Sequence, residues 1–424
     1  MSTLFDEFEW RGQVSEATEG ARELLAREKV TAYIGFDPTA SSLHVGNLVT
    51  IMALKRVQRF GHSAVALIGG GTGMIGDPSG KTAERTLLSR EEVHANVDGL
   101  TAQLSTLLQH DSDGPPVRFA DNSEWLGTMS VMEFLRDVGK YFTVNYLLSK
   151  ESVKRRIEGE DGMSFTEFSY SLLQAYDYLV LHDRFNCSLQ LGGSDQWGNI
   201  VAGCDLIRKL RAKQAHGLVM PLLLTSSGTK FGKTESGTIW LDAARTSPFR
   251  FYQFWLNTDD KDVVSYLKYF TFRTQAEIRE LEQAVHDHPE RRDAQRQLAR
   301  DVTAFVHGAD RLNRAERAAA VLFGGSLAGA SVEDILTVFD DVPSITVKAS
   351  SLDAGIGAAE LAVTSGLAAS KGEAARLIKQ GGLYLNDRRL TDERGQVTMA
   401  DTVERSIIVL RKGQRERRLV KIQP

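Results

Sequence analysis

Only two cysteines, Cys187 and Cys204, occur in 424 residues, and they lack Cys-x-x-Cys spacing. That excludes a disulfide framework and a cysteine zinc site, and a reducing cytoplasm is the expected compartment. An apolar run of about 18 residues is also missing, so no membrane-spanning helix is expected. The opening residues, MSTLFDEFEWRGQ, are acidic and hold no apolar stretch followed by a cleavage site, so no secretory signal is expected. Without secretion, the sequon-like Asn186-Cys187-Ser188 is a chance match. Internal repeats and low-complexity tracts are absent too.

What remains has a globular composition, 42% hydrophobic and 25% charged. The length exceeds one ordinary core and implies roughly two to three domains. The net charge of -4 conceals an uneven spread. Lys371 to Pro424 holds 13 Lys and Arg against 7 Asp and Glu, an excess of +6 that leaves -10 on the rest. A basic segment on an acidic body suggests contact with a polyanion, although so modest an excess is also what a solvated surface carries.

From Thr31 to about Met220, β-rich apolar runs alternate with amphipathic stretches. Thr31 to Phe36, Ser63 to Ile68, Val117 to Ala120 and Ser188 to Leu191 read as strands. Such alternation predicts βαβ units and a parallel sheet, whose ligands bind beyond the carboxyl ends of the strands. From Ser247 the strand signals stop. Phe249 to Leu256, Val263 to Phe270, Gln275 to His286 and Arg291 to His307 read as helices. Gly324 to Ser350 has no strong period and reads as a linker. Beyond it, Ser370 to Glu373 has the form of a capping box opening a helix, Gly381-Gly382 stops that helix, and Leu383 to Leu390 turns through Asn386-Asp387 as a hairpin.

Two segments carry most of the chemistry. His44-Val45-Gly46-Asn47 follows the first strand and opens a helix-like stretch from Val45 to Phe60, which puts His44 and backbone N-H groups where negative charge is favoured. Lys230-Phe231-Gly232-Lys233-Thr234 is a glycine-containing loop with two lysines, able to balance charge building on a leaving pyrophosphate. Between them, Gly71-Thr72-Gly73-Met74-Ile75-Gly76 fits a dinucleotide fingerprint, but that fingerprint belongs with an acidic residue at the next strand's end about 20 positions on, and here the sequence runs into Asp77-Pro78-Ser79-Gly80 and a charged stretch. It reads instead as a loop that lets backbone approach a small ligand, with Asp77 directed at an ammonium group. Ser164 to Glu167 is a second capping box, and the helix it opens carries Tyr170, Gln174 and Asp177 on one face. Such a stripe is, alone, equally a helix's solvated side. Leu191-Gly192-Gly193-Ser194-Asp195-Gln196-Trp197 joins a strand to a helix start, where Asp195 is either a helix-terminal carboxylate or a ligand contact.

The two signatures together resemble those of class I aminoacyl-tRNA synthetases, and the residues between them resemble the bacterial-type tyrosyl enzymes. The resemblance runs from about Thr31 to Leu241, with a fainter echo to the end. It implies an α/β fold: a Rossmann-like parallel-sheet catalytic domain over 1–246, a small all-α domain binding the anticodon arm over 247–323, a linker over 324–350, and a C-terminal α+β RNA-binding domain over 351–424 that resembles a small-subunit ribosomal protein module. It implies that Tyr33 and Asp177 hydrogen-bond a phenolic hydroxyl, that Asp77, Tyr170 and Gln174 hold the ammonium, and that Gln196 lies by the carboxylate. Gly193 and Asp195 would receive the ribose of ATP. Gly35, Asp37 and Thr39 would bind adenylate and phosphate, alongside His44, Gly46, Asn47, Lys230, Lys233 and Thr234. Lys81 and Arg85 resemble mobile pyrophosphate contacts, or are ordinary surface cations.

Two departures stand out. Asn47 replaces a second histidine, and its amide N-H can still donate to a ribose oxygen. The second signature is Lys-Phe-Gly-Lys-Thr, a variant typical of the tyrosyl enzymes, with Thr234 keeping a hydroxyl. The resemblance further implies L-tyrosine, ATP with Mg2+, and tRNA(Tyr) as partners, and a homodimer whose interface is expected over Trp125 to Leu148. Competing readings are a tryptophanyl-tRNA synthetase, a catalytically silent RNA-binding protein that keeps the fold, and a nucleotidyltransferase of the His-x-Gly-His superfamily.

Overall fold

Strands β2 (Thr31–Phe36) and β3 (Ser63–Ile68) form where small, branched and aromatic residues run almost without a polar break. They pair in parallel from Thr31 opposite Ser63 to Phe36 opposite Ile68. With β1 (Glu16–Ala17), β4 (Arg118–Asp121), β5 (Cys187–Gly193) and β6 (His216–Met220) they build one sheet in the order β1-β6-β5-β2-β3-β4. Only β1, at the edge, is antiparallel. Helices Leu48–Arg59, Phe165–Phe185 and Trp197–Arg211 pack on this sheet. Burial on both faces is why its strands lack a polar-apolar alternation. The chain runs outward from β2 through β3 to β4, then returns beside β2 as β5. The crevice at that reversal, beyond the carboxyl ends of β2 and β5, is where such a sheet offers a ligand site.

This computed structural model describes residues 2–423 except 80–85, 110–113, 160–161, 230, 235–236, 323–331, 333–334, 337–338, 340–341 and 414–415, with backbone alone at 233–234 and 321–322. The chain forms two compact units, one of Met1–Thr246 with Trp255–Val302, the other of Ser247–Phe254 with Thr303–Pro424. The helices expected as one domain over 247–323 are therefore divided between them. The reason lies in two buried arginines.

Arg56, on helix Leu48–Arg59, is 1% exposed, and its Nη2 donates to the carbonyls of Lys268, Tyr269 and Thr271 at 3.1, 2.9 and 2.9 Å. Arg11 adds bonds to Lys268, Thr271 and Arg273 at 2.8, 3.1 and 2.8 Å. These carbonyls lie at and just beyond the end of helix Asp260–Phe270. A helix end leaves such groups without partners and is negative, so two guanidinium groups satisfy both needs and tie the helix to the sheet-bearing unit.

In the second unit, β11 (Leu383–Leu385), β12 (Arg388–Arg389), β14 (Ile407–Lys412), β15 (Glu416–Gln423) and β9 (Ser344–Lys348) form a sheet in the order β12-β11-β14-β15-β9; β10 (Ile356–Gly357) and β13 (Gln396–Val397) pair separately. Leu361, Ala374, Ile378, Leu385, Ile408 and Leu410 belong to its core. The expected hairpin is present: Asn386 and Asp387 both take left-handed φ, at 44° and 66°, as a tight two-residue turn requires. The capping box at Ser370 is only half formed. Ser370 Oγ accepts from the Glu373 N-H, while the Glu373 carboxylate accepts from Ala369 N-H and Lys412. The expected linker over 324–350 also needs correction, because β9 lies within it and pairs in parallel with β15. Its part over 324–331 lies outside the described residues.

Replacing Arg56 by Met should lower the unfolding free energy by about 2 kcal/mol or more, since the Tyr269 carbonyl loses its arginine donor and those of Lys268 and Thr271 are left with Arg11 alone. Urea unfolding of the full chain checks this. A loss of under about 1 kcal/mol would show that the bracket is not needed.

Candidate active site

A cleft of about 440 Å³ opens at the carboxyl ends of β2 and β5. Into it come Tyr33 and Gly35 from β2, Asp37 and Thr39 just after it, and His44, Gly46 and Asn47 from the following turn. Asp77 enters from the loop after β3; Tyr170, Gln174 and Asp177 enter from helix Phe165–Phe185; Gly193, Asp195 and Gln196 enter from the end of β5. Fourteen of the expected site residues are thus brought to one place. Lys81, Arg85 and Lys230 lie outside the described residues, as do the side chains of Lys233 and Thr234, whose backbone is β7 (Lys233–Thr234), paired with β8 (Gly237–Thr238).

The polar stripe on helix Phe165–Phe185 does not face solvent. Asp177 is 2% exposed, its Oδ1 accepting from Trp125 Nε1 at 2.7 Å and its Oδ2 from Asn122 Nδ2 at 2.9 Å. Burial lifts its pKa to about 7; Asp37 and Asp121 push the same way, and the two donors pull against them. Asn122 also donates to Thr72 Oγ1 at 2.9 Å, Thr72 donates to Asp37 Oδ1 at 2.8 Å, and Tyr170 Oη donates to Asp37 Oδ2 at 2.7 Å. One chain of hydrogen bonds therefore runs from Trp125 through Asp177 and Asn122 to Tyr170. Burial and the neighbouring Asp37 hold the Tyr170 hydroxyl in its protonated, donating form.

Near Asp177 stands Tyr33, 1% exposed, whose hydroxyl has no hydrogen-bond partner among the described residues. Burial, then the Asp177 carboxylate, push its pKa well up, so it keeps its proton. The amide oxygen of Gln190, on β5 and also lining the cleft, is likewise unpartnered among the described residues. Buried polar atoms without partners are costly, and in a cleft they fit a ligand that brings the missing hydrogen bonds.

A second group gathers round Asn199, whose Nδ2 donates to Gln174 Oε1 and Ser79 Oγ at 3.2 Å each and to Gln196 Oε1 at 3.4 Å. Gln196 Nε2 donates to Asp77 Oδ2 at 2.6 Å, and Ser79 N-H to Asp77 Oδ1 at 2.9 Å. A carboxylate flanked by two amides suits a ligand with an ammonium and a carboxylate of its own. The glycine loop that precedes it starts as a short 3-10 turn, Thr72–Met74, and no helix opens there. Gly71 N-H donates to Asn122 Oδ1 at 2.7 Å, so the loop serves this network rather than a pyrophosphate.

At the opposite end, His44 caps the turn Val45–Asn47, ahead of helix Leu48–Arg59. Gly46 N-H donates to His44 Nδ1 at 3.0 Å, so in the neutral ring Nε2 carries the proton and is the donor. A Cβ at Gly46 would stand 2.8 Å from that ring, so only glycine permits the approach. Asn47 Oδ1 accepts from His44 N-H at 3.0 Å, which leaves its amide NH2 as the end available to a ligand.

Sequence reasoning missed Asn122, Thr72, Gln190 and Asn199 and misplaced Trp125. Trp125 was expected in a subunit interface, yet it is 5% exposed and spends its indole N-H on Asp177. Signals existed for two: Gln190 is a lone amide in the apolar strand Cys187–Gly193, and Asn199 follows Gln196 by three positions on a helix start.

A parallel sheet with a helix start and a glycine-lined strand end meeting over one crevice is the arrangement of the class I synthetase fold. The family model for class I tRNA synthetases (W and Y) matches residues 25–324, and the chain belongs to that family. A second model, of the tyrosine-tRNA ligase SYY-like C-terminal domain, matches 334–420. The chain is 52% identical over 423 residues to the tyrosine-tRNA ligase of Roseiflexus castenholzii, covering 100% of both, and 48% identical over 421 residues to that of Geobacillus stearothermophilus, covering 99% of both. A C-terminally truncated mitochondrial tyrosyl-tRNA synthetase of Aspergillus nidulans matches with a TM-score of 0.68 and 31% identity, covering 76% of this chain and 95% of that one.

Because the pKa of Asp177 is raised on folding, its contribution to stability is complete below the ordinary carboxyl range and is lost as pH rises through about 7. Asp177→Asn should therefore remove a pH-dependent loss of about 4 kcal/mol between pH 4 and pH 8. Unfolding curves across that range check it; an unaltered pH slope would place the carboxyl in an ordinary environment.

Proposed function

We propose that the chain is a tyrosine-tRNA ligase: it joins L-tyrosine to ATP as tyrosyl-adenylate with release of pyrophosphate, then passes tyrosine to the 3'-terminal adenosine of tRNA(Tyr) with release of AMP. The observation that carries the tyrosine end is the pairing of an unpartnered buried phenol, Tyr33, with a buried carboxylate, Asp177, in one cleft. A substrate hydroxyl between them accepts from the first and donates to the second. Phenylalanine would leave both unmet, which is how a site of this kind rejects it; tyrosyl-tRNA synthetase is itself the standard worked case of that effect.

In this reading Asp77, Tyr170 and Gln174 hold the ammonium, and Gln196 stands by the carboxylate that attacks the α-phosphorus. Gly193, Asp195 and Asn47 receive the ribose, and Gly35, Asp37 and Thr39 bind the adenylate and its phosphate. His44, through Nε2-H, with Lys81, Arg85, Lys230, Lys233 and Thr234, binds the pentavalent phosphate and departing pyrophosphate more strongly than the ground state. No side-chain nucleophile is needed, since positioning and charge stabilisation suffice. Mg2+ arrives on the phosphates of ATP.

The basic C-terminal unit grips RNA. Arg411 lies 3.8 Å over the Tyr384 ring, and exposed Arg388 and Arg389 flank the hairpin, a mixture of stacking surface and positive charge. The helices over 247–323 take the anticodon arm. Exposed apolar side chains, with Met132 at 75%, Val131 at 72% and Val144 at 63%, support a homodimer built on the segment 131–148. The protein works in the cytoplasm; among the described residues no helix is long and apolar enough to cross a membrane.

Exchange of labelled pyrophosphate into ATP tests the reading. The expected result is exchange that depends on tyrosine and on no other amino acid, and Tyr33→Phe should weaken tyrosine binding about tenfold while leaving phenylalanine nearly unaffected. Exchange driven by a different amino acid, or none, would overturn it.

A further inference from the structure

His44 is held from more sides than its own turn. Leu43 to Val45 and Ile239 to Leu241 run antiparallel, with Val45 N-H donating to Ile239 O at 3.0 Å and Leu241 N-H to Leu43 O at 2.8 Å. His44 and Trp240 are the bridge pair between those bonds, and their rings meet edge-on with centroids 6.2 Å apart. Trp240 does not line the cleft. The Arg245 guanidinium lies over the Trp240 ring, 4.4 Å from its centroid. The Trp240 backbone N-H donates to the hydroxyl of buried Thr246 at 3.0 Å, and Thr246 N-H to Asp242 O at 2.9 Å, so the tryptophan's backbone is itself fixed.

We propose that Trp240 is a positioning residue for His44, setting the ring so that Nε2-H points at the transferring phosphate. The inference rests on the ligase reading. Two further facts support it. Gly46 N-H fixes which nitrogen donates, and the Trp240 ring, packed edge-on against the imidazole, adds a contact that bears on the ring's orientation. Ile239 to Leu241 also follows directly on the β7–β8 hairpin that carries the lysine signature, so the same contact sets the two signatures' separation.

The test is a double-mutant cycle on the full-length chain, with adenylate formation followed under single-turnover conditions and tyrosine affinity measured separately by calorimetry. Trp240→Ala should slow adenylate formation about ten- to hundredfold, as a misplacement of about an ångström does, with tyrosine affinity held within about twofold. In a His44→Ala background the same change should cost less than about twofold, because the group it positions is gone. Trp240→Phe keeps a ring edge and should stay within about threefold of wild type. Trp240→Leu keeps bulk without the edge and carries the same cycle if the alanine variant does not fold. Equal losses with and without His44, an unchanged rate, or a matching loss of tyrosine affinity would overturn the proposal. A wild-type chain without tyrosine-dependent exchange would instead remove the ligase reading, and this inference with it.

Discussion

The arrangement depends on one buried carboxylate. Asp177 sits behind the cleft with almost no access to water, and the surrounding sequence is organised to make that tolerable: an indole and an amide donate to its two oxygens, and the amide is in turn held by the glycine loop after β3. A carboxylate so placed is costly when empty-handed and is best satisfied by one more donor. That demand, set beside the unmet hydroxyl of Tyr33, gives the cleft its chemistry before any ligand is considered. The same chain of bonds reaches Asp37 and Tyr170, so the two regions of the cleft share one hydrogen-bond network.

The His44 end of the cleft is built differently. Among the described residues its order comes from backbone: a histidine capping its own turn, a glycine that lets the ring lie against an N-H, and a two-stranded bridge to the segment after the lysine loop. Helix Leu48–Arg59 starts at this turn and, near its other end, presents Arg56 to the carbonyls of helix Asp260–Phe270. That second helix supplies Phe270 and Tyr266, whose rings lie 5.1 and 4.9 Å from Phe231 in the lysine signature. The His44 turn is thus linked to the lysine signature by two routes, one through the bridge to Trp240 just beyond it and one through a buried guanidinium.

Local pattern carried much of this. β2 and β3 were legible to the residue because buried parallel strands are short unbroken apolar runs, and the 3.6-residue period alone put Tyr170, Gln174 and Asp177 on one face. What pattern could not show is which distant group meets that face. Asn122 and Asp177 are 55 positions apart and Arg56 and Thr271 are 215 apart, and neither pairing leaves a periodic trace. Trp125 was misplaced for the same reason: beside apolar neighbours an indole looks like contact surface, and its single polar atom decides otherwise. β9 was read as linker because its alternation is short and its partner, β15, lies more than seventy residues on.

The claim that the Tyr33 hydroxyl and the Asp177 carboxylate jointly hold a phenol is tested most directly by a crystal structure of the full chain with bound L-tyrosine. The account predicts the phenolic oxygen within about 3 Å of both Tyr33 Oη and an Asp177 oxygen, with the Asn122 and Trp125 bonds retained. A tyrosine bound with its hydroxyl in solvent, or outside this cleft, would contradict it.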